Sequence, residues 1–241
     1  MNRRFLVFLA LALLLLQARA ADTLLIAAGA GYKRPLTEVA TAFESKTGIH
    51  VEQIYGHMGG VVEQTRQSGQ VAVIFGDQFF LEKVTSVSFA DYLPLGDGRL
   101  ALAWPRGTAL STSEELAQPR FARIALADTQ SAIFGIAAKE FLTRSGLEPQ
   151  LRNRLQVVST VPQVSSYLVS GDVDAGFVNL TEALAIKDRI GGYLEIDRKL
   201  YAPIRIVGAV VKGFEHQPSV LALRQFLESA QARSIMDKHG L

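Results

Sequence analysis

The residues best placed to hold a ligand are glycines. Gly29-Ala30-Gly31 follows the apolar run "TLLIAA" and precedes a helical pattern that opens at Pro35. Gly56-His57-Met58-Gly59-Gly60 repeats the order of strand, glycine loop and helix start after "IHVEQIY". A helix N-terminus presents N–H groups that have no intrahelical acceptor, so such a loop suits an anion or a polar ligand atom. Two known versions of the motif are excluded. The dinucleotide fingerprint needs a third glycine where this chain has Arg34, and the phosphate loop of nucleotide hydrolases needs a Gly-Lys-Ser/Thr that is absent. His57 and Met58 are placed to line the resulting crevice. They do not make a metal site, because His50, His216 and His239 fall on separate elements.

The acidic pair Asp172 and Asp174 in "SGDVDAGFVN" has the residue type for acid–base work, but its position at a turn points to capping. Asp77 in "GDQ" is expected to cap a short helix. No Ser–His–Asp order, nucleophile elbow or HExxH pattern occurs, so no catalytic residue, metal ligand or cofactor is assigned and the chain is not expected to be an enzyme.

Short apolar runs alternating with amphipathic segments position these loops. "PLTEVATAFESKTG" carries Leu36, Val39, Ala40 and Phe43 at helical spacing, with Gly48 past its end. "GGVVEQTRQSG" is a second helix and "VAVIFG" a third strand, and the three strand–helix units favour a parallel sheet. A second set follows. The strands "RLALAW", "RIALAD", "LQVVS" and "VDAGFVN" alternate with the helices "AIFGIAAKEFLTRSG", "VPQVSSYLVSG" and "TEALAIKDR". "TSEELAQ" has capping-box spacing between Thr112 and Glu115. "YAPIRIVGAVVKG" is a late apolar strand, and the C-terminal helices return to the first set. The expected fold is α/β, with two lobes joined by two crossovers and a ligand cleft between them. Residues 21–103 with 205–241 form one lobe and 104–204 the other.

Residues 1–20 have the basic start, apolar middle and Ala18-Arg19-Ala20 end of a secretory signal cleaved after Ala20. Three of the 25 Lys and Arg leave with it, so 22 remain against 23 acidic residues and the mature chain is formally −1. That balance, without a basic stripe, excludes a nucleic-acid partner. The chain has no cysteine, hence no lipid-attachment site and no disulfide. About 220 remaining residues suffice for a core held by burial alone.

"LLIAAGAG…LTEVATAFESKTGIHV", "RIALADTQSAIFGIAAKEFL", "QVSSYLVSGDVDAGFVNLTEA" and "PIRIVGAVVKG" resemble, in order, the opening loop, second-lobe helix, late turn and hinge strand of the periplasmic molybdate-binding proteins of ABC importers. The resemblance implies a monomeric periplasmic protein that carries an oxyanion such as molybdate or tungstate to a membrane permease. That family holds its anion with one serine in each first-lobe loop, backbone N–H groups and a second-lobe tyrosine. Here the first serine position is Gly31, beside Ala30 and Tyr32. The second falls within Met58-Gly59-Gly60, the tyrosine on Asn179, and the second-lobe backbone contacts around Phe134 and Val161. Every hydroxyl of the pattern is replaced, which leaves backbone donors as the expected grip. The same scaffold also accommodates an organic solute or metal complex against Phe134, Tyr32, His57 and Met58, or an exported sensory role.

Overall fold

The computed structural model describes residues 23–241; the expected signal segment lies outside the described residues. Ten strands form two five-stranded sheets. The first holds β1 (Thr23–Gly29), β2 (His50–Gly56), β3 (Val73–Asp77), β4 (Phe89–Gly98) and β10 (Ile204–Val211), in the order β2-β1-β3-β10-β4. The second holds β5 (Leu100–Trp104), β6 (Ile124–Ala127), β7 (Leu155–Val158), β8 (Ala175–Asn179) and β9 (Gly192–Glu195), in the order β7-β6-β8-β5-β9.

The three strand–helix units pair in parallel as expected, and an antiparallel strand joins each sheet to make it mixed. β1 pairs in parallel with β2 and β3, whereas β10 runs antiparallel to β3 and β4. In the second sheet β6 is parallel to β7 and β8, and β5 is antiparallel to β8 and β9. The antiparallel members adjoin the two crossovers, where a strand re-enters a sheet without a covering helix to turn it round. The first crossover is at Arg99, between β4 and β5. The strand Leu100–Trp104 therefore hydrogen-bonds in the second sheet, as its place at the head of the second set of strands implied, although the boundary expected at residue 103 falls within it.

Nine α-helices cover the sheets: α1 (Lys33–Thr47), α2 (Met58–Ser68), α3 (Gln78–Glu82), α4 (Ile133–Arg144), α5 (Glu148–Leu151), α6 (Val161–Ser170), α7 (Leu180–Ile186), α8 (Pro218–Leu227) and α9 (Ala230–Lys238), counted among the described residues. α1 buries Leu36, Val39, Ala40 and Phe43, the stripe its spacing predicts, and ends on Gly48 at φ 74°. Phe43 meets Phe226 of α8 edge-on at 5.7 Å. Glu38 of α1 accepts from Lys238 Nζ at 2.9 Å and pairs with His239 Nε2 at 2.8 Å, so the C-terminal helices return to the first lobe. Among the described residues no helix is long and apolar enough to cross a membrane.

Candidate ligand-binding site

Register brings the two glycine loops together. β1 and β2 pair in parallel from Thr23 opposite His50 to Gly29 opposite Gly56, so both loops leave the same edge of the sheet side by side. Ligands of such sheets sit beyond the carboxyl ends of the strands. After Gly29 the chain makes a single 3₁₀ turn, Ala30–Tyr32, that runs into α1. After Gly56, α2 starts at Met58 with His57 as its N-cap. From the second lobe, the starts of α4 and α6 approach the same place. A cavity of ≈ 30 Å³ lies between them, lined by residues of both loops together with Ile133, Phe134, Ser159, Thr160 and Val161. Among the described residues no carboxylate lines it.

Each candidate residue has a definite position. His57 Nδ1 accepts from the Gly60 N–H at 3.1 Å, so the ring serves the loop's own backbone. A Cβ on Gly60 would stand 3.1 Å from His57 Nε2 and 3.2 Å from Cε1, so a side chain there would require the imidazole to give by a few tenths of an ångström. Gly59 faces the second lobe, where a Cβ would lie 3.7 Å from the Ser131 side chain. Met58 is 1% exposed and seats its thioether over Gly29 and Gly76, so it fills the floor of the cleft. Tyr32 and Phe134 are both buried, one from each lobe, with ring centroids 6.0 Å apart. The Tyr32 hydroxyl is pushed well above its ordinary pKa by burial first, then by the charge of Asp77, and it has no hydrogen-bond partner among the described residues.

Asn179, at the end of β8, reaches across the seam: its Nδ2 donates to the Gly31 carbonyl at 3.0 Å. A Cβ on Gly31 would come within 3.4 Å of that amide. Gly31 and Asn179 are thus direct neighbours across the seam, and a side chain at 31 would begin in contact with the asparagine amide. Three residues further along both chains, Arg34 Nε pairs with the buried Glu182 at 3.2 Å. The first turns of α1 and α7 therefore face each other, joined at two rungs.

Sequence reasoning did not name Ser159 and Thr160. Their signal was present as the capping box of α6, in which the Thr160 N–H donates to Gln163 Oε1 at 3.2 Å. Beside them a polar pocket of ≈ 270 Å³ holds His57, Asp128 and Ser131. Bonds from the Ser131 hydroxyl, then the Ser131 and Gln130 amides, hold the Asp128 carboxyl below its ordinary range. Asp172 and Asp174 sit at the turn as expected, and Asp174 accepts from the Arg123 N–H at 2.8 Å and from its guanidinium at 3.1 Å. Asp77 caps α3 through the Phe80 N–H at 2.9 Å and also accepts from the Arg205 N–H at 3.1 Å. Among the described residues no group of three or more His, Asp or Glu is arranged to hold a metal ion.

A larger cavity, ≈ 410 Å³, lies on the hinge side of the seam between α3, α4 and the strand entry at Pro203. Its walls include Phe79, Phe80, Ile136 and Ala137, with Asp77 and Glu140 as carboxylates.

The glycine-loop arrangement, two lobes and matched crossovers accord with a family model. The one described as bacterial extracellular solute-binding protein matches residues 24–241. The chain belongs to this family. As a solute-binding protein it is similar to the molybdate-binding protein ModA of Azotobacter vinelandii, 25% identical over 98% of this chain and 96% of that one. It is also similar to a putative ABC transporter substrate-binding lipoprotein, YvgL, of Bacillus subtilis, 27% identical over 90% of this chain and 85% of that one. The solved periplasmic molybdate-binding protein of A. vinelandii superposes with a TM-score of 0.81 at 24% identity, covering 90% of this chain and 97% of its own. The resemblance to molybdate-binding proteins seen in the sequence, and the two-lobed α/β fold, are both borne out. A solute-binding protein of this type binds a small ligand and works with a membrane permease.

Proposed function

We propose that this protein binds a small oxyanion of the molybdate and tungstate kind between its lobes and delivers it to an ABC importer. One observation carries the reading. The starts of four helical segments, two from each lobe, converge on one small cavity that no carboxylate lines. Each helix N-terminus favours an anion by about 0.3–1 kcal/mol when exposed and up to about 2 kcal/mol when partly buried. Backbone N–H groups near Gly31, Tyr32, Gly59, Phe134 and Val161 then do the work that hydroxyls do in the resembled family, with the Ser159 and Thr160 hydroxyls beside them. A cavity this small favours a compact ion over a metabolite. Admitting a tetrahedral anion requires the Asn179 amide to swing or the lobes to part slightly. The reading includes export after cleavage at Ala20, a periplasmic location, a monomer, and lobes meeting near residues 99 and 204.

Thermal unfolding with molybdate, tungstate, sulfate and phosphate tests it. A ligand at 100 times its Kd adds about 2.7 kcal/mol, which for a chain of this size raises Tm by roughly 5–10 °C. No shift with any of the four would reject the oxyanion reading and leave the fold untouched.

The size of the hinge-side cavity favours a second reading, in which an organic solute binds there rather than against Tyr32 and Phe134. Native mass spectrometry of the purified protein distinguishes the two by the mass that travels with it.

A further inference from the structure

Two carboxylates are buried among the described residues, and only one has a counter-charge. Glu182 faces Arg34 at 3.2 Å. Asp77, 8% exposed, has no Lys, Arg or His within ion-pairing distance among the described residues, and burial, ahead of the charges of Glu82 and Glu140, raises its pKa. Its two oxygens accept from the Phe80 and Arg205 N–H groups, which hold the carboxylate in place without neutralising it. Buried charges in proteins are ordinarily paired, so an uncompensated one in a cavity wall marks where a cation fits.

Asp77 lines the hinge-side cavity from the first lobe, and Glu140 of α4 lines it from the second. Glu140 Oε2 accepts from the Ala202 N–H at 2.6 Å and from Arg144 Nη2 at 3.4 Å, and among the described residues no hydrogen bond reaches Oε1. The cavity's own cation is held elsewhere: Lys83 Nζ lies 3.6 Å from the centroid of the exposed Phe79 ring. Phe80, Ile133, Ile136 and Ile204 supply apolar wall, and ≈ 410 Å³ falls in the range of about 300–1,000 Å³ usual for small-molecule pockets. We propose that this cavity is a binding site for an organic cation with a primary ammonium group and an apolar body, the ammonium lying between Asp77 and Glu140. An ammonium donates three N–H groups, the carboxylate oxygens keep lone pairs to accept them, and the cation turns repulsion between the two carboxylates into attraction to both. Because the carboxylates belong to different lobes, such a ligand holds the lobes together from the hinge side. The proposal rests on the hinge-side reading above, whose solute it names. It does not depend on the oxyanion reading, since carboxylates that attract a cation repel an anion.

Calorimetric titration of the mature protein at neutral pH with phenethylamine, phenethyl alcohol, phenylacetate and methylammonium tests the proposal. Phenethylamine, which is charged at that pH, is expected to bind about 10-fold or more tightly than the other three, the ratio that a charge-assisted hydrogen bond supports. Glu140→Gln keeps an oxygen for the Ala202 N–H and should weaken phenethylamine by about 5-fold or more, with phenethyl alcohol changed less than about 2-fold. Ala202→Trp, which fills the cavity, should abolish binding of both. Should Glu140→Gln not fold, the wild-type ranking decides by itself. Phenethyl alcohol or phenylacetate binding as tightly as phenethylamine, or equal losses in Glu140→Gln, overturns the cation assignment and leaves a cavity for an uncharged or acidic solute. Binding of none of the four probes, or binding retained in Ala202→Trp, removes the hinge-side site altogether. Tungstate titrated into the same preparation reports on the glycine loops, so the oxyanion reading stands or falls separately.

Discussion

Two of the cavities along the seam differ in nearly every property that matters for binding. The hinge-side cavity is large, ≈ 410 Å³, with apolar walls and the carboxylates Asp77 and Glu140. The glycine-loop cavity is small, ≈ 30 Å³, with no carboxylate and the starts of helices from both lobes around it. Volume favours the first and electrostatics the second. Both span the two lobes, so either could couple a ligand to closure. The contrast teaches that a site for a compact ion is built from backbone direction rather than from room, because the N–H groups that grip it belong to helices already anchored in the sheets.

Blocking each cavity in turn should break or sharpen that contrast. Gly31→Trp, placed where Asn179 already crowds the loop, should weaken anion binding by roughly 100-fold or more, about 2.7 kcal/mol. Ala202→Trp, which fills the hinge side, should change it less than about 3-fold by the same titration. Equal losses in the two variants would mean that the cavities form one site.

Asp77→Asn probes the hinge side without touching the loops. The aspartate accepts from two backbone N–H groups, and the amide can accept from only one of them, so chemical denaturation should show a loss of about 1–3 kcal/mol. Burial, ahead of the Glu82 and Glu140 charges, raises the Asp77 pKa from 3.8. The folded chain therefore holds this proton longer than the unfolded one. Its contribution is complete below about pH 4 and is lost as pH rises through the folded value, and Asp77→Asn should remove that slope.

His57→Ala removes an N-cap, not a ligand contact, so denaturation should register a cost of about 0.5–2 kcal/mol. Anion affinity should fall only as far as the start of α2 frays. A loss of binding without a loss of stability would instead make the imidazole a ligand group.

The smallest effect is far from both cavities. Lys238 and His239 hold the Glu38 carboxyl below its ordinary 4.5 by hydrogen bonding to it. This pair contributes above that value and is lost as pH falls through the lowered folded one. The groups are largely solvated, so Glu38→Gln should cost no more than about 0.5 kcal/mol, measured as the difference between pH 7 and pH 3.

Much of this was legible in the sequence because the signals are local. Strand, glycine loop and helix start are written within thirteen residues at Leu24–Leu36, and the stripe Leu36, Val39, Ala40, Phe43 is the face α1 buries. The box Thr112–Glu115 was equally plain, although it closes a 3₁₀ turn and not a full helix. Long-range pairing left less trace. β4 contains Pro94, Gly96 and Asp97, residues that argue against a strand, yet it pairs along β10 because its partner supplies the ladder. β9 is four residues long and only half buried. The bond from Asn179 to Gly31 joins positions 148 apart, so each residue alone looked like a lost hydroxyl. Only the fold brings them into contact.

The most direct measurement is diffraction at the tungsten absorption edge from crystals grown with tungstate. An anomalous peak between Gly31, His57, Phe134 and Val161 is the expected result. A peak in the hinge-side cavity beside Phe79 and Glu140, or none at the glycine loops under saturating tungstate, would contradict it.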